Sequence, residues 1–354
     1  MFEKSILSID IGTQNIKLAV GKQQGNIVVV DRLLMTGTPA NSYLDGKLMN
    51  MELLKEEIAR TIANEKIKAK RAVCTIESTA IIRRDIELPT VKPEELDTMI
   101  QYEIEQYLPI SLEDYIIEYK IQEEFVEENV KKSRISVAAL PKSIAEDYLQ
   151  LLRGLKLVPV ALDINSNVLS KLFGSPKVQI NNQKSIYEKT VAYIDIGYSS
   201  MNLVIVKKGI MKFNRLMSFG GYEIDINIAN AFNLDVLHAE RRKIEDAELT
   251  DPDRQGTGSK AMLDDILRTS AEHWVQELQR MFQYYTSRSK DNRIDEVCIY
   301  GGSSNIKGLA EYLQNLLNYP VNSLKAVNTV KLGKASSPQD LEYYLNAVGA
   351  IIRK

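Results

Sequence analysis

The sequence predicts an α/β protein made of a duplicated α/β unit that carries a small α+β insert. Three observations lead there. A strand that runs into an acidic residue and a glycine turn at 5–13 returns at 190–197 with its parts in the same order. Between the two copies, residues 81–156 read as a separate pattern of strand, helix, two strands and helix. The length of 354 residues exceeds one small core and suits two or three domains.

Each element follows from local pattern. Residues 5–11 form a strand entering a turn at Gly12-Thr13. Strands at 16–21 and 26–33 follow, the signature of hairpins joined by short glycine turns. Met51, Leu54, Ile58 and Ile62 recur at the spacing of one helix face, so 51–65 is a helix and 71–77 a buried strand. A strand at 81–88 ends at Pro89. Pro93-Glu94-Glu95 opens a helix over 93–108 with apolar Leu96, Ile100, Ile104 and Leu108. Strands at 115–122 and 133–140 flank an acidic loop, Glu123–Lys132, and Pro141 opens a helix over 141–154. A strand at 157–163 and a helix at 164–173 complete the first half. The polar stretch 175–189, with Pro176, Asn181, Asn182 and Gln183, marks a boundary.

The second half repeats the opening: strand Thr190–Ile196, turn Gly197–Ser200, strand Met201–Val206 and strand 210–217. Helices at 222–248 and 260–289 flank an exposed loop at 250–260. A strand at 295–300, a glycine turn at 301–302 and helices near 305–318 and 338–353 close the chain. The domains implied are 1–80 with 157–185, an inserted subdomain at 81–156, a second domain at 186–338, and a returning helix at 339–354.

Composition excludes several functions. Apolar residues make up 44% and charged residues 26%, as in ordinary globular chains, and the net charge of -2 leaves no broad nucleic-acid footprint. The two cysteines, Cys74 and Cys298, lie far apart, with neither metal spacing nor a disulfide framework, which fits a reducing cytoplasm. His238 and His273 are the only histidines and lie in polar helical stretches, against a histidine metal site or a Ser-His-Asp triad. There is no G-x-x-x-x-G-K-[ST] loop, signal-peptide pattern or membrane-spanning run. Any work at a membrane is expected to depend on a partner.

Three motifs carry chemistry. In Asp10-Ile-Gly12-Thr13-Gln14-Asn15-Ile-Lys17, Gly12 permits a tight turn whose backbone amides form an anion-binding nest. Thr13 adds a hydroxyl, Lys17 adds positive charge near the β- and γ-phosphates, and Asp10 suits Mg²⁺ held through water. Asp195-Ile-Gly197-Tyr198-Ser199-Ser200 repeats the arrangement with two hydroxyls, Asp195 being the second carboxylate near the metal. Each motif alone also reads as a plain hairpin with local turn bonding. The pair reads as a clasp on a phosphate chain. In Ile299-Tyr-Gly301-Gly302-Ser303-Ser304-Asn305-Ile306, a buried strand ends at two glycines where a flat base fits the backbone, or where an ordinary helix cap forms.

In this order the three segments resemble the phosphate-1, phosphate-2 and adenosine motifs of the actin/Hsp70/sugar-kinase superfamily. The resemblance implies an actin-like ATPase fold of two duplicated RNase H-like domains, with ATP and Mg²⁺ in the cleft between them. An insert at this point of the chain is similar to the FtsA-type α+β subdomain. Several segments look like the PilM family of type IV pilus and type II secretion machines: Ile86–Pro89, Ile100–Pro109, Ala138–Pro141, Gly154–Asp163 and Phe219–Asp225. That family resemblance implies nucleotide contacts at Gly220, Gly221, Glu240, Lys243, Gly302, Ser303 and Ile306. It also implies a PilN-like bitopic membrane protein as partner, whose cytoplasmic N-terminal segment docks beside the insert. Other contacts it implies are with further pilus platform proteins and with copies of the chain itself in an oligomer or ring. The location implied is cytoplasmic, at the inner face of the membrane through the partner.

Some roles stay open in the sequence. Glu240 and Lys243 also read as a surface ion pair three residues apart on a helix. Asp163 reads as a water-positioning catalytic residue or as a helix N-cap, with Asn165 beside it. Tyr198 packs either on the phosphate turn or on the neighbouring strand. Slow or partner-dependent hydrolysis is expected, because phosphoryl transfer relies on positioning. A filament-forming FtsA-like protein and a small-molecule kinase are the rival functions; the chain ends at Arg353-Lys354 without the amphipathic membrane tail expected of the first.

Overall fold

In the computed structural model, residues 5–107, 111–181, 185–249, 258–333 and 341–353 are described. The first domain starts with β1 (Ile6–Ile11), β2 (Asn15–Gln24) and β3 (Ile27–Gly37), an antiparallel meander. A two-residue-stranded hairpin, β4 (Tyr43–Leu44) and β5 (Lys47–Leu48), leads to helix α1 (Met51–Asn64). Asn50 caps that helix by accepting from the Leu53 amide. Strand β6 (Arg71–Ile76) then lies parallel to β1.

The insert follows as β7 (Ile82–Pro89), α2 (Pro93–Tyr107), β8 (Tyr115–Glu127) and β9 (Val130–Pro141). Its three strands are ordered β7-β9-β8, and Leu88, Leu96, Ile100, Ile104, Ile135 and Val137 form its own core. The acidic stretch expected as a loop is instead paired strand, turned at Glu128 and Asn129, both left-handed. Lys132 and Arg134 on β9 neutralise Glu127 and Glu123 across the ladder, so alternating charges stabilise strands there.

Helix α3 (Lys142–Gly154) departs from the expected boundary. It places Ile144, Tyr148, Leu151 and Leu152 in the core of the first domain, with Leu54 and Ile58 of α1, so the insert ends near Pro141 rather than at 156. Strand β10 (Val158–Ile164) extends the first sheet beside β6, and α4 (Asn165–Leu172) crosses behind it.

The second domain repeats the plan with β11 (Thr190–Ile196), β12 (Met201–Lys207) and β13 (Ile210–Met217). The single helix expected at 222–248 is two, α5 (Gly221–Phe232) and α6 (Val236–Asp246), because Asn233 turns left-handed and Asp235 caps the second. Then come α7 (Ser259–Ser287), β14 (Glu296–Tyr300), α8 (Leu309–Leu317) and β15 (Val321–Ser323). The helix expected from 305 begins only at Leu309, after a 3-10 turn over Gly302–Asn305. The second sheet, β13-β12-β11-β14-β15, copies the order β3-β2-β1-β6-β10 of the first. Strand β16 (Val330–Leu332) returns to the first sheet beside β3, earlier than the expected boundary at 338.

The returning segment is a 3-10 turn at Leu341–Tyr343 and a short helix α9 (Leu345–Gly349), not one helix over 338–353. Helices α4 and α9 lie between the two sheets. Leu169, Leu172, Leu345 and Val348 share one buried cluster with Val28 and Val30 of the first sheet and Tyr193 and Val204 of the second. The expectations for Leu108, Pro109, Asn182, Gln183, 250–257 and 339–340 lie outside the described residues.

The second domain's core surrounds Trp274, the chain's one tryptophan, which is 1% exposed. Leu278 on the same helix is fully buried in that cluster. Leu278→Ala is expected to lower stability by about 2–5 kcal/mol through the cavity it leaves, read from Trp274 emission during urea unfolding. A loss under about 1 kcal/mol would show that this core repacks freely.

Candidate functional site

The ends of β1 and β11 face each other across a cleft of about 740 Å³. Both carry the same turn. The Gly12 amide donates to Asn15 O at 3.0 Å, and the Gly197 amide donates to Ser200 O at 3.0 Å. A Cβ at Gly12 would lie 3.0 Å from that carbonyl and one at Gly197 2.8 Å, so neither turn closes this tightly with a side chain. The loops touch: Thr13 Oγ1 and Ser199 Oγ share a hydrogen bond at 2.6 Å.

Of the residues singled out in the sequence, Asp10, Gly12, Thr13, Gln14, Asn15, Lys17, Asp195, Gly197, Tyr198, Ser199, Ser200, Glu240, Lys243, Gly302, Ser303 and Ile306 line this cleft. Asp10 is 6% exposed, accepts from Thr75 Oγ1 at 2.8 Å and lies 3.7 Å from Lys17 Nζ. Asp195 accepts from Asn346 Nδ2 at 2.9 Å. Burial holds the Asp195 carboxyl up at about 6, against the lowering effects of Lys17 and the Asn346 bond.

Glu240 and Lys243 do not pair with each other. Gln14 Nε2 donates to both Glu240 oxygens at 2.8 and 2.9 Å, a bond from the first phosphate loop to helix α6 across the cleft. Lys243 turns inward to Asp225 Oδ1 at 2.7 Å and donates to the Gly221 carbonyl. Burial pushes the Asp225 carboxyl up to about 6 despite that partner. Tyr198 packs on Tyr222 of α5, with ring centroids 5.1 Å apart.

Three glycines expected to contact nucleotide do not line the cleft. Gly220 and Gly221 hold α5 against the second loop: the Gly221 and Tyr222 amides donate to the Gly197 and Tyr198 carbonyls. A Cβ at Gly220 would lie 2.6 Å from Gly197 O. Gly301, at φ +91°, lets the strand end pass Asp195; a Cβ there would lie 2.2 Å from Asp195 Oδ1.

Asp163 is also outside the cleft lining. Its carboxylate accepts from Asn167, Lys171 and Arg353, the last at 2.8 Å, so it ties α4 to the C-terminal segment. It is not an N-cap either, since the cap position is Ile164, with no side-chain bond. Asn165 does line the cleft, and among the described residues its buried amide oxygen has no donor.

Sequence reasoning missed Thr75, Glu77, Asn202, Tyr343 and Asn346, which also line the cleft. They stand singly at strand ends and in the returning segment, in no motif. Their one readable signal was a polar residue at the end of an apolar strand.

The chemistry of the set fits ATP with Mg²⁺. Among the described residues no group of three or more His, Cys, Asp or Glu forms a metal cage. Mg²⁺ does not need one, because one or two carboxylates plus phosphates and waters suffice. Asp10 and Asp195 are the carboxylates that would face such an ion, and the turn amides with Lys17 are the groups that would face the phosphates. Cys74 is buried, with its thiol pushed up to about 12 by burial, and the Cys298 thiol is buried and pushed up likewise.

Comparison with known proteins shows the family and the fold. A family model described as type IV pilus assembly protein PilM matches residues 8–354. A solved PilM-PilN type IV pilus biogenesis complex is 22% identical with a TM-score of 0.79, over 98% of this chain and 97% of that one. The ethanolamine utilization protein EutJ from Carboxydothermus hydrogenoformans is 14% identical with a TM-score of 0.58, over 99% and 90%. MreB 5 of Spiroplasma citri, bound to AMPPNP, is 11% identical with a TM-score of 0.56, over 99% and 95%. The fold is the actin-like ATPase fold that these proteins share.

Because the folded chain keeps a proton on Asp195 that the unfolded chain has lost, this group's contribution to stability is full below about pH 4. It is lost as pH rises through about 6. In the nucleotide-free chain, Asp195→Asn is expected to flatten the fall in urea midpoint between about pH 4 and 6. An unaltered profile would show that Asp195 ionises as it does in water.

Proposed function

The chain belongs to the family of type IV pilus assembly protein PilM, and from that premise we propose that it is an ATP-binding switch of the pilus assembly platform. The observation that carries the reading is the matched pair of glycine turns, closed by the same backbone bond and joined by Thr13 and Ser199. Amides of both turns and Lys17 would hold the phosphate chain. Asp10 and Asp195 would hold Mg²⁺ through water, and the ion would offset charge on the phosphates. Glu240 and Lys243 on α6, with Gly302, Ser303 and Ile306 opposite, would receive the ribose and base. A nucleotide held by both domains favours the closed arrangement by its differential affinity for it.

Hydrolysis is read as slow. Asp163 is engaged by Lys171 and Arg353, which leaves Asn165, an amide and a weak base, to orient a water. Among the described residues no helix is long and apolar enough to cross a membrane. A bitopic PilN-like protein, through its cytoplasmic N-terminal segment, would therefore bring the chain to the inner face of the membrane. The insert, with its separate core, is the docking element in this reading.

Two measurements test this. By calorimetry with MgATP, Lys17→Ala is expected to weaken binding roughly 10- to 100-fold, the worth of a charge-assisted bond to phosphate. Asp195→Ala should weaken it by a similar factor, and unchanged affinity in both would refute the clasp. A peptide of the PilN-type N-terminal segment should bind saturably and lose binding when the insert is altered. Absent binding together with ATP-dependent sedimenting polymers would favour a filament protein instead.

A further inference from the structure

Glu77 stands where four parts of the molecule meet. It follows β6 directly, and its side chain is 7% exposed. Its carboxylate pairs with Arg83 on β7, the first strand of the insert. It accepts from Asn202 Nδ2 of the second domain at 3.2 Å, and the Ser166 backbone amide at the start of α4 bonds it too. Burial pushes this carboxyl up against those donors. Glu77 and Asn202 both line the cleft, and Asn202 lies opposite Asp195 in the ladder of β11 and β12. Behind it, Asn214 Nδ2 of β13 donates to Asn202 Oδ1 at 2.8 Å.

A second link runs from β13 to the insert. Lys212 Nζ lies 3.8 Å from Glu123 of β8, and Glu123 and Glu87 share Arg134 of β9. The insert therefore touches the first domain through Arg83 and Glu77, and the second through Lys212. The first link reaches β12, the strand after the second glycine turn, directly through Asn202, and the second ends on β13, the strand whose Asn214 donates to Asn202.

We propose that Glu77 is a positioning residue that couples cleft closure to the insert, with Arg83 as its handle on β7. Opening the cleft moves β12 away and withdraws the Asn202 donor. A buried carboxylate that loses a donor tightens on those that remain, here Arg83 and the Ser166 amide. Closure restores the Asn202 bond and shifts the balance at Arg83. By reciprocity, a ligand that moves β7 changes the cleft's affinity for nucleotide by the same factor. The inference rests on the reading of the cleft as an ATP site.

Hydrogen exchange of the full chain, with and without MgATP, tests it. In the parent protein ATP should speed amide exchange across 82–89 and 130–141, because closure slackens the hold of Glu77 on Arg83. Arg83→Ala should abolish that response while ATP affinity stays within about threefold, since Arg83 does not line the cleft. Arg83→Lys, which keeps the ion pair, should restore part of the response, and a purely structural role would not produce that split. An insert that still responds in Arg83→Ala overturns the route. A parent protein that binds ATP without any response in the insert overturns the coupling. Failure of the parent protein to bind MgATP overturns the ATP reading itself and is told apart by that binding measurement.

Discussion

The contact on which the rest depends is the one between α4 and α9, between the two sheets. Gly349 lies against Val168 there, and a Cβ at Gly349 would sit 2.5 Å from Val168 Cγ1. This close approach lets both connecting helices share one buried cluster with strands of each sheet. Protein interiors pack like crystals, so a wedge at this point would move the sheets rather than be absorbed. The facing of the two phosphate loops follows. They are strand ends of two sheets whose relative placement is fixed by the helices behind them.

That frame explains the polar chemistry of the cleft. Asp10 and Asp195 are held in low dielectric beside each other's charge, with Lys17 the nearby cation. Two such carboxylates are costly without a counterion and suited to one. Gly301 carries the same logic into the backbone: only a residue without a Cβ passes Asp195 at that distance. Asn346, on the returning helix, then donates to the other oxygen of Asp195. The second carboxylate is thus bounded by two C-terminal elements, the turn after β14 and the returning helix.

Much of this was legible because it is local. Strand, carboxylate, glycine and strand lie in consecutive residues, and their repetition at 190–206 marks the duplication. What was missed is non-local. Glu123–Lys132 looked like a loop because its acids were read alone, whereas Arg134 and Lys132 on the partner strand neutralise them. The helix over 222–248 broke at Asn233, whose left-handed backbone no periodicity foretells. Helix 142–154 was assigned to the insert by its place in sequence, but its apolar face fits the first sheet. Asp163 drew attention by its motif position and is consumed by Lys171 and Arg353, the latter 190 residues away. Glu77 and Asn202 stood unnoticed because their meaning arises only where two domains meet.

The division between apolar back and polar front sets how the molecule moves. Behind the cleft, α4, α9 and both sheets share a continuous buried cluster, which would cost many apolar contacts to separate. In front, the domains are joined by Thr13 to Ser199, Gln14 to Glu240 and Asn202 to Glu77. Bonds of this kind contribute about 1–3 kcal/mol each net, because water replaces them when they open. The easy motion is therefore a hinge about the helices that parts the loops and leaves the core intact. A ligand that inserts between the loops need only replace those few bonds with its own. In the proposed reading phosphate oxygens would take up what Thr13 and Ser199 offer, so the pair that closes the front of the cleft is also a pair that would bind nucleotide.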